Sequence, residues 1–212
     1  NSMNNNYYKS KNRPSQLGQD DKCLDFLKGK REGYFVDIGA FDGLDLSNTK
    51  KLEYEYGWKG ICVEPIKKMY EICKDNRPNS ICINKCIYDE NTSVNFNIVG
   101  KDDYSMLSGI SNNGTEIIDA ITFTKLLDEA DAPKIMDFLS LDTEGSELKI
   151  LQSLDHSKYK FRFITVEHNY NTEPRKCIYD ELLNNGYKFY GVNQWDDMYI
   201  GDDLWYINQN EQ

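Results

Sequence analysis

Apolar and polar positions fall into two periods along this chain. Short apolar runs bounded by Gly, Pro or acidic residues read as buried strands at 34–39, 59–64, 80–86, 138–142 and 161–167. Between them lie helical stretches: 47–56, stopped by Gly57; 65–76, opened by Pro65 and closed by Arg77-Pro78; 122–130; 146–154; and 174–185, ended by Gly186. A short helix with Leu24, Phe26 and Leu27 on one face precedes the first strand, and Ser15 is placed to cap it. Residues 93–99 alternate as an antiparallel or edge strand does, and strands at 187–192 and 198–207 finish the chain. Residues 100–115 are rich in turn formers and too long for a plain connection, which marks a functional loop. Residues 1–14 carry no hydrophobic period and read as a mobile or surface-draped segment (1–3 as a cloning remnant), leaving 15–212 as one domain.

Strands alternating with helices imply right-handed βαβ units, hence an α/β fold whose mostly parallel sheet is covered on both faces. The closing pair of strands adds an antiparallel element at one edge. In such sheets ligands bind at the carboxyl ends of the strands.

Composition narrows the classes. Thirty-five acidic against 25 basic side chains give a net charge of -10, which repels nucleic acid, and no basic run exceeds two residues such as Lys67-Lys68. No apolar run approaches the roughly 18 residues that span a bilayer, and no charged-then-apolar leader opens the chain, so no membrane partner is expected. Six cysteines without a CxxC pair read as reduced thiols of a cytoplasmic protein.

The strand ends carry the chemistry. The first ends Val36-Asp37-Ile38-Gly39-Ala40-Phe41-Asp42-Gly43, with two glycines for close backbone approach and acids around the turn. It is neither the dinucleotide glycine pattern nor a phosphate loop. The second ends in Glu64, where one carboxylate can take both hydroxyls of a ribose. That geometry also serves NAD, but the missing phosphate-binding pattern together with Asp37 favours S-adenosylmethionine, which has a ribose, an ammonium and a sulfonium but no phosphate. Apolar side chains at the third strand end, 85–89, suit an adenine, with Asp89 able to read its amino group. The fourth ends Asp142-Thr143-Glu144-Gly145-Ser146-Glu147, and the fifth Glu167-His168. Favourable charge at a helix N-terminus explains Glu144 and Glu147 equally well, and a structural role for His168 stays open. His156 reads as solvated surface.

These stretches, together with 15–20 (Ser-Gln-Leu-Gly-Gln-Asp), Ser47-Asn48-Thr49 and Ser108-Gly109-Ile110, resemble the FkbM-type family of S-adenosylmethionine-dependent methyltransferases over about residues 15–200. The resemblance implies a class I methyltransferase fold, a Rossmann-like three-layer sandwich with a seven-stranded sheet closed by an antiparallel hairpin. It implies O-methylation of glycans or secondary metabolites. It places Asp37 and Gly39 against the methionine part of the cofactor, with Asp42, Gly43, Ser47 and Asn48 in the same site. Glu64 falls on the ribose, Cys86 and Ile87 on adenine, and Asp142 at the reaction centre.

A hydroxyl acceptor needs a general base, and His168, Glu144, Asp142 and Glu167 are the candidates. Asp142, Glu167 and His168 also form a hard donor set for Mg or Mn. The 100–115 loop and the tail offer aromatic faces (Tyr104, Met106, Tyr170, Trp195, Tyr199) and acids (Asp102, Asp103, Asp196, Asp197) to a carbohydrate. The expected activity is methyl transfer to a sugar hydroxyl of a glycan, such as a rhamnose. A small metabolite, a protein hydroxyl, or a non-catalytic cofactor-binding module are the alternatives.

Overall fold

The computed structural model describes residues 8–97, 109–110 and 116–201. In chain order the elements are α1 (Gln19–Phe26), β1 (Tyr34–Ile38), α2 (Lys50–Tyr56), β2 (Lys59–Val63), α3 (Lys67–Asn76), β3 (Ile81–Ile83), β4 (Cys86–Ile87), β5 (Thr92–Asn97) and β6 (Gly109–Ile110). There follow β7 (Glu116–Ile121), α4 (Phe123–Glu129), β8 (Ile135–Leu141), α5 (Glu147–Gln152), β9 (Lys160–Glu167), α6 (Thr172–Asn184), β10 (Tyr187–Asn193) and β11 (Asp196–Gly201).

Seven strands form the main sheet in the order β10-β11-β9-β8-β1-β2-β3. The five from β9 to β3 are parallel, and β11 runs antiparallel to both β9 and β10. The strand and helix pattern implies the mostly parallel α/β sheet, and the seven strands closed by an antiparallel hairpin are what the family resemblance implies. The central strands are apolar almost throughout because both faces are covered. On one face Val36, Ile61, Leu139 and Ile164 pack with Leu126 of α4, Leu151 of α5 and Leu182 of α6. On the other, Phe35, Cys62, Phe138 and Phe163 pack with Leu24 of α1, Leu52 of α2 and Cys73 of α3.

Local signals place several boundaries. Gly57 ends α2 in a left-handed conformation (φ 69°), and the Thr122 side chain caps α4 by accepting from Lys125 N–H. The expected third strand divides. Ile81–Ile83 joins the main sheet, but Asn84 turns out and donates to the carbonyls of Glu64 and Pro65. Cys86–Ile87 then pairs with β7 in a second sheet of order β4-β7-β5-β6. The sequence pattern does not announce β7, because its solvent face carries the apolar Ile117 (75 % exposed), which obscures the period-2 signal.

Residues 8–14 are pinned to the domain rather than loose. Arg13 makes a two-pronged ion pair with Asp45 (2.9 and 2.6 Å), and Tyr8 Oη donates to Asp42 (3.1 Å). Most of the 100–115 loop, including Asp102, Asp103, Tyr104 and Met106, lies outside the described residues, as do 202–207 of the last expected strand. No helix among the described residues is long and apolar enough to cross a membrane.

Candidate active site

A cavity of about 440 Å³, within the usual range for small-molecule sites, opens at the carboxyl ends of β1, β2, β8 and β9. Gly39 forms its floor. The chain leaves β1 there with φ 94°, and the N–H groups of Gly39 and Ala40 both donate to the Val63 carbonyl (3.0 Å each). A Cβ on Gly39 would lie 2.0 Å from the Asp142 carbonyl oxygen, so only glycine lets the two strand ends close on each other.

Glu64 stands in the wall after β2. One carboxylate oxygen accepts Phe41 N–H (2.9 Å) and the other accepts Ile66 N–H (2.7 Å), which aims the group and leaves lone pairs for a ligand. Burial pushes its pKa up to about 8, and Asp37 and Asp42 nearby add to the rise. Cys86, Ile87, Val63 and Ile66 give the adjoining wall an apolar surface.

Across the cavity, carboxylate oxygens of Asp142, Glu144 and Glu167 lie within 4.8 Å of one another. Burial and the Glu167 charge hold Asp142 well above the usual carboxylate range; burial raises Glu144 as well. Glu167 is pushed up to about 7, again chiefly by burial. Asn169 Nδ2 donates to it at 2.9 Å. Glu147 does not join them. Its carboxylate accepts N–H groups of Thr143 (3.3 Å) and Gly145 (3.0 Å) and so staples the turn that presents Glu144, a residue itself at φ 54°. Trp195, in the turn between β10 and β11, completes the wall. Lys85 is the one basic residue among the described residues of this lining, so the cavity favours cations and hydroxyl donors over phosphates.

Residues 37–195 match the methyltransferase FkbM domain. The chain belongs to this family. It is an S-adenosylmethionine-dependent methyltransferase, and the sheet order is the one its family implies. Among solved structures it is similar to the METTL16 methyltransferase domain (13% identity, 87% of this chain and 66% of that one, TM-score 0.52), a likeness of fold alone. It is also similar to precorrin-6y C5,15-methyltransferase from Geobacter metallireducens GS-15 (12% identity, 85% of each chain, TM-score 0.48). No curated protein matches it in sequence.

In this FkbM methyltransferase the cavity brings together eight of the residues singled out from sequence: Gly39, Glu64, Cys86, Ile87, Asp142, Glu144, Glu167 and Trp195. The remaining first-turn residues lie behind it. Asp37 is buried, accepts from Thr49 Oγ1 (2.6 Å), and shares a sheet row with Cys62 and Ser140 on the opposite face from Ile38. Asn48 Nδ2 donates to Ser140 (2.9 Å), and Ser47 Oγ accepts N–H groups of Thr49 and Lys50. These three therefore anchor the 44–49 segment, whose Leu46 does reach the cavity. Asp42 accepts from Tyr8, Leu44 and Asp45, and Gly43 (φ 82°) backs onto Arg77 and Cys73.

His168 is corrected in both of its expected roles, base and metal ligand. Successive strand residues point to opposite faces, so with Glu167 in the cavity its neighbour turns away. Its Nδ1 accepts Tyr170 N–H (2.8 Å), and its Nε2 lies 3.6 Å from Asp197, which is held by Arg175 in two bonds of 2.7 Å. Burial lowers its pKa further. The oxygen set that the fold assembles has Glu144 where His168 was expected. Asp196 and Asp197 are buried and committed to Gln19 and Arg175, and Tyr199 is fully buried, so none offers a face to a sugar. Asp89 pairs with Lys149 outside the cavity lining. His156 is buried, with Nε2 2.8 Å from the Leu151 carbonyl.

Gln16, Phe41, Leu46 and Asn169 line the cavity without having been assigned a site role from sequence. Their signal was present but unspecific: Gln16 and Phe41 lie inside family-like stretches and Asn169 adjoins one, whereas the reach of Leu46 and Phe41 depends on positive φ values (58° and 54°) that no residue type announces.

Proposed function

We propose that this methyltransferase methylates a hydroxyl of a sugar within a glycan, a deoxyhexose such as rhamnose being the first acceptor to try. The observation that carries the reading is the Asp142–Glu144–Glu167 cluster at the end of a cavity whose opposite wall holds Glu64. The donor set suits the cofactor: one carboxylate for a ribose diol, an apolar wall for adenine, acids for an ammonium, and no phosphate cradle. The cofactor supplies an activated methyl on a sulfonium. Glu64, already aimed by two backbone N–H groups, accepts the ribose hydroxyls. Gly39 keeps the β1 turn low enough for close approach.

Glu167 acts as general base. Its position near neutrality lets it take the acceptor proton as the new C–O bond forms, and Asn169 holds the carboxylate in place. Asp142 and Glu144 accept neighbouring hydroxyls and fix the acceptor oxygen in line, which supplies much of the acceleration. Trp195 offers an aromatic face beside those acids, as carbohydrate sites do. A small metabolite or a protein hydroxyl would use the same base.

The deciding assay is transfer of labelled methyl from S-adenosylmethionine to defined oligosaccharides, with the methylated position assigned by NMR. Transfer confined to non-carbohydrate acceptors overturns the sugar reading, and cofactor binding without any transfer overturns the catalytic one. The same three carboxylates would seat Mg or Mn, polarising the acceptor hydroxyl. Turnover unchanged after exhaustive EDTA treatment rules that role out.

A further inference from the structure

Behind the cofactor cavity, three thiols meet at one point in the core. Cys62 of β2 and Cys82 of β3 are register partners on adjacent parallel strands, so their side chains leave the same face of the sheet. Cys73 comes down on them from α3. The three sulfurs lie within 4.8 Å of one another, and Cys73 Sγ is 3.8 Å from Cys82 Sγ. With zinc–sulfur bonds of about 2.3 Å, tetrahedral geometry places thiolate sulfurs about 3.8 Å apart. One pair already has that spacing, and the others need to close by at most about 1 Å.

The surroundings suit an anionic cluster. Arg77 is fully buried and pairs with Glu53 through Nε (3.0 Å), while its Nη2 has no hydrogen-bond partner among the described residues. It lies beside the thiols: a Cβ on Gly43 would meet both Arg77 Cγ (2.8 Å) and Cys73 Sγ (3.0 Å). Cys62 and Cys73 are buried, whereas Cys82 is part-exposed and gives an ion its way in.

From this geometry we infer that Cys62, Cys73 and Cys82 form a binding site for a soft, thiophilic cation of the zinc class, separate from the carboxylates of the active site. Binding forms three metal–sulfur bonds and releases the thiol protons to solvent, with no change of oxidation state. The ion ties β2, β3 and α3 together two residues before Glu64 and directly behind the first-strand turn. Its consequence is a stiffer cofactor wall.

The test is an anaerobic titration of the reduced full chain with Co²⁺, read as the ultraviolet thiolate-to-metal charge-transfer band, followed by displacement with Zn²⁺. One ion per chain is expected in the wild type, in Cys177→Ser, which removes the exposed thiol, and in Glu144→Gln. In Cys82→Ser the affinity should fall by at least about 100-fold. No band in the wild type overturns the inference whether or not any variant folds. So does an affinity in Cys82→Ser equal to that of the wild type, or a band lost in Glu144→Gln. Methyl transfer is not the readout, so failure here leaves the catalytic reading standing.

Discussion

Replacing Gly39 by alanine perturbs the closest backbone contact at the active site. The new Cβ would sit 2.0 Å from the Asp142 carbonyl oxygen and 3.1 Å from its carbon. Carbon–oxygen contacts in proteins ordinarily begin at about 3.3 Å, so the ends of β1 and β8 must separate by more than about 1 Å. Overpacking of that kind costs about 1–3 kcal/mol, and a non-glycine residue at φ 94° adds about 1–2 kcal/mol. A total of about 2–5 kcal/mol should lower Tm by about 4–20 °C in a domain of this size. Moving Asp142 also displaces the acid cluster from Glu64, so cofactor affinity should fall with stability. Gly145→Ala is the control, because Gly145 also has positive φ (114°) but has nothing within 4 Å of its Cβ position. Differential scanning calorimetry of both variants, with cofactor titrations by isothermal calorimetry, separates contact from strain. Equal losses in the two variants, or a wild-type Tm in Gly39→Ala, would refute the reasoning.

Glu64→Gln keeps the shape but sets an amide N–H₂ against a backbone N–H, and cofactor affinity should drop about 10- to 100-fold by calorimetry. Glu167→Gln should lower kcat about 10²- to 10⁴-fold and abolish the rise of kcat with pH through about 7; a retained limb would assign the base elsewhere. His168→Ala should cost stability through its contacts with Asp197 and Tyr170 while kcat stays within about threefold, and a loss of about 100-fold at unchanged Tm would restore it as the base. Asp37, Glu64 and Glu167 titrate at about 7, 8 and 7 in the folded chain, above the ordinary range for carboxylates. The native state thus holds protons that the unfolded chain has released. Stability of the cofactor-free protein is full below about pH 4 as far as these groups are concerned, and is lost as pH rises through 7 to 8. A Tm that rises over that interval would contradict this sign.

Burial pattern made most elements readable. Largely apolar runs such as 34–38 and 135–141 belong to strands covered on both faces. The third strand, expected as one run over 80–86, divides because Asn84 spends its side chain on two carbonyls of the neighbouring loop. The acids at 64, 142, 144 and 167 were legible as a site because the fold rule places strand ends together.

The sequence by itself determined the α/β class, the family, and the acids at the strand ends. Only the tertiary structure decided which of those acids line the cavity. Asp37 and Ser140 share a row that the 44–49 segment covers, and His168 falls on the reverse side of the strand from Glu167. A list of residues records neighbours along the chain, whereas a two-residue period sends adjacent side chains to opposite faces. The three cysteines show the converse. Their separation in sequence carries no metal-site spacing, and it takes the register of β2 against β3, with α3 laid across them, to bring the sulfurs within 4.8 Å.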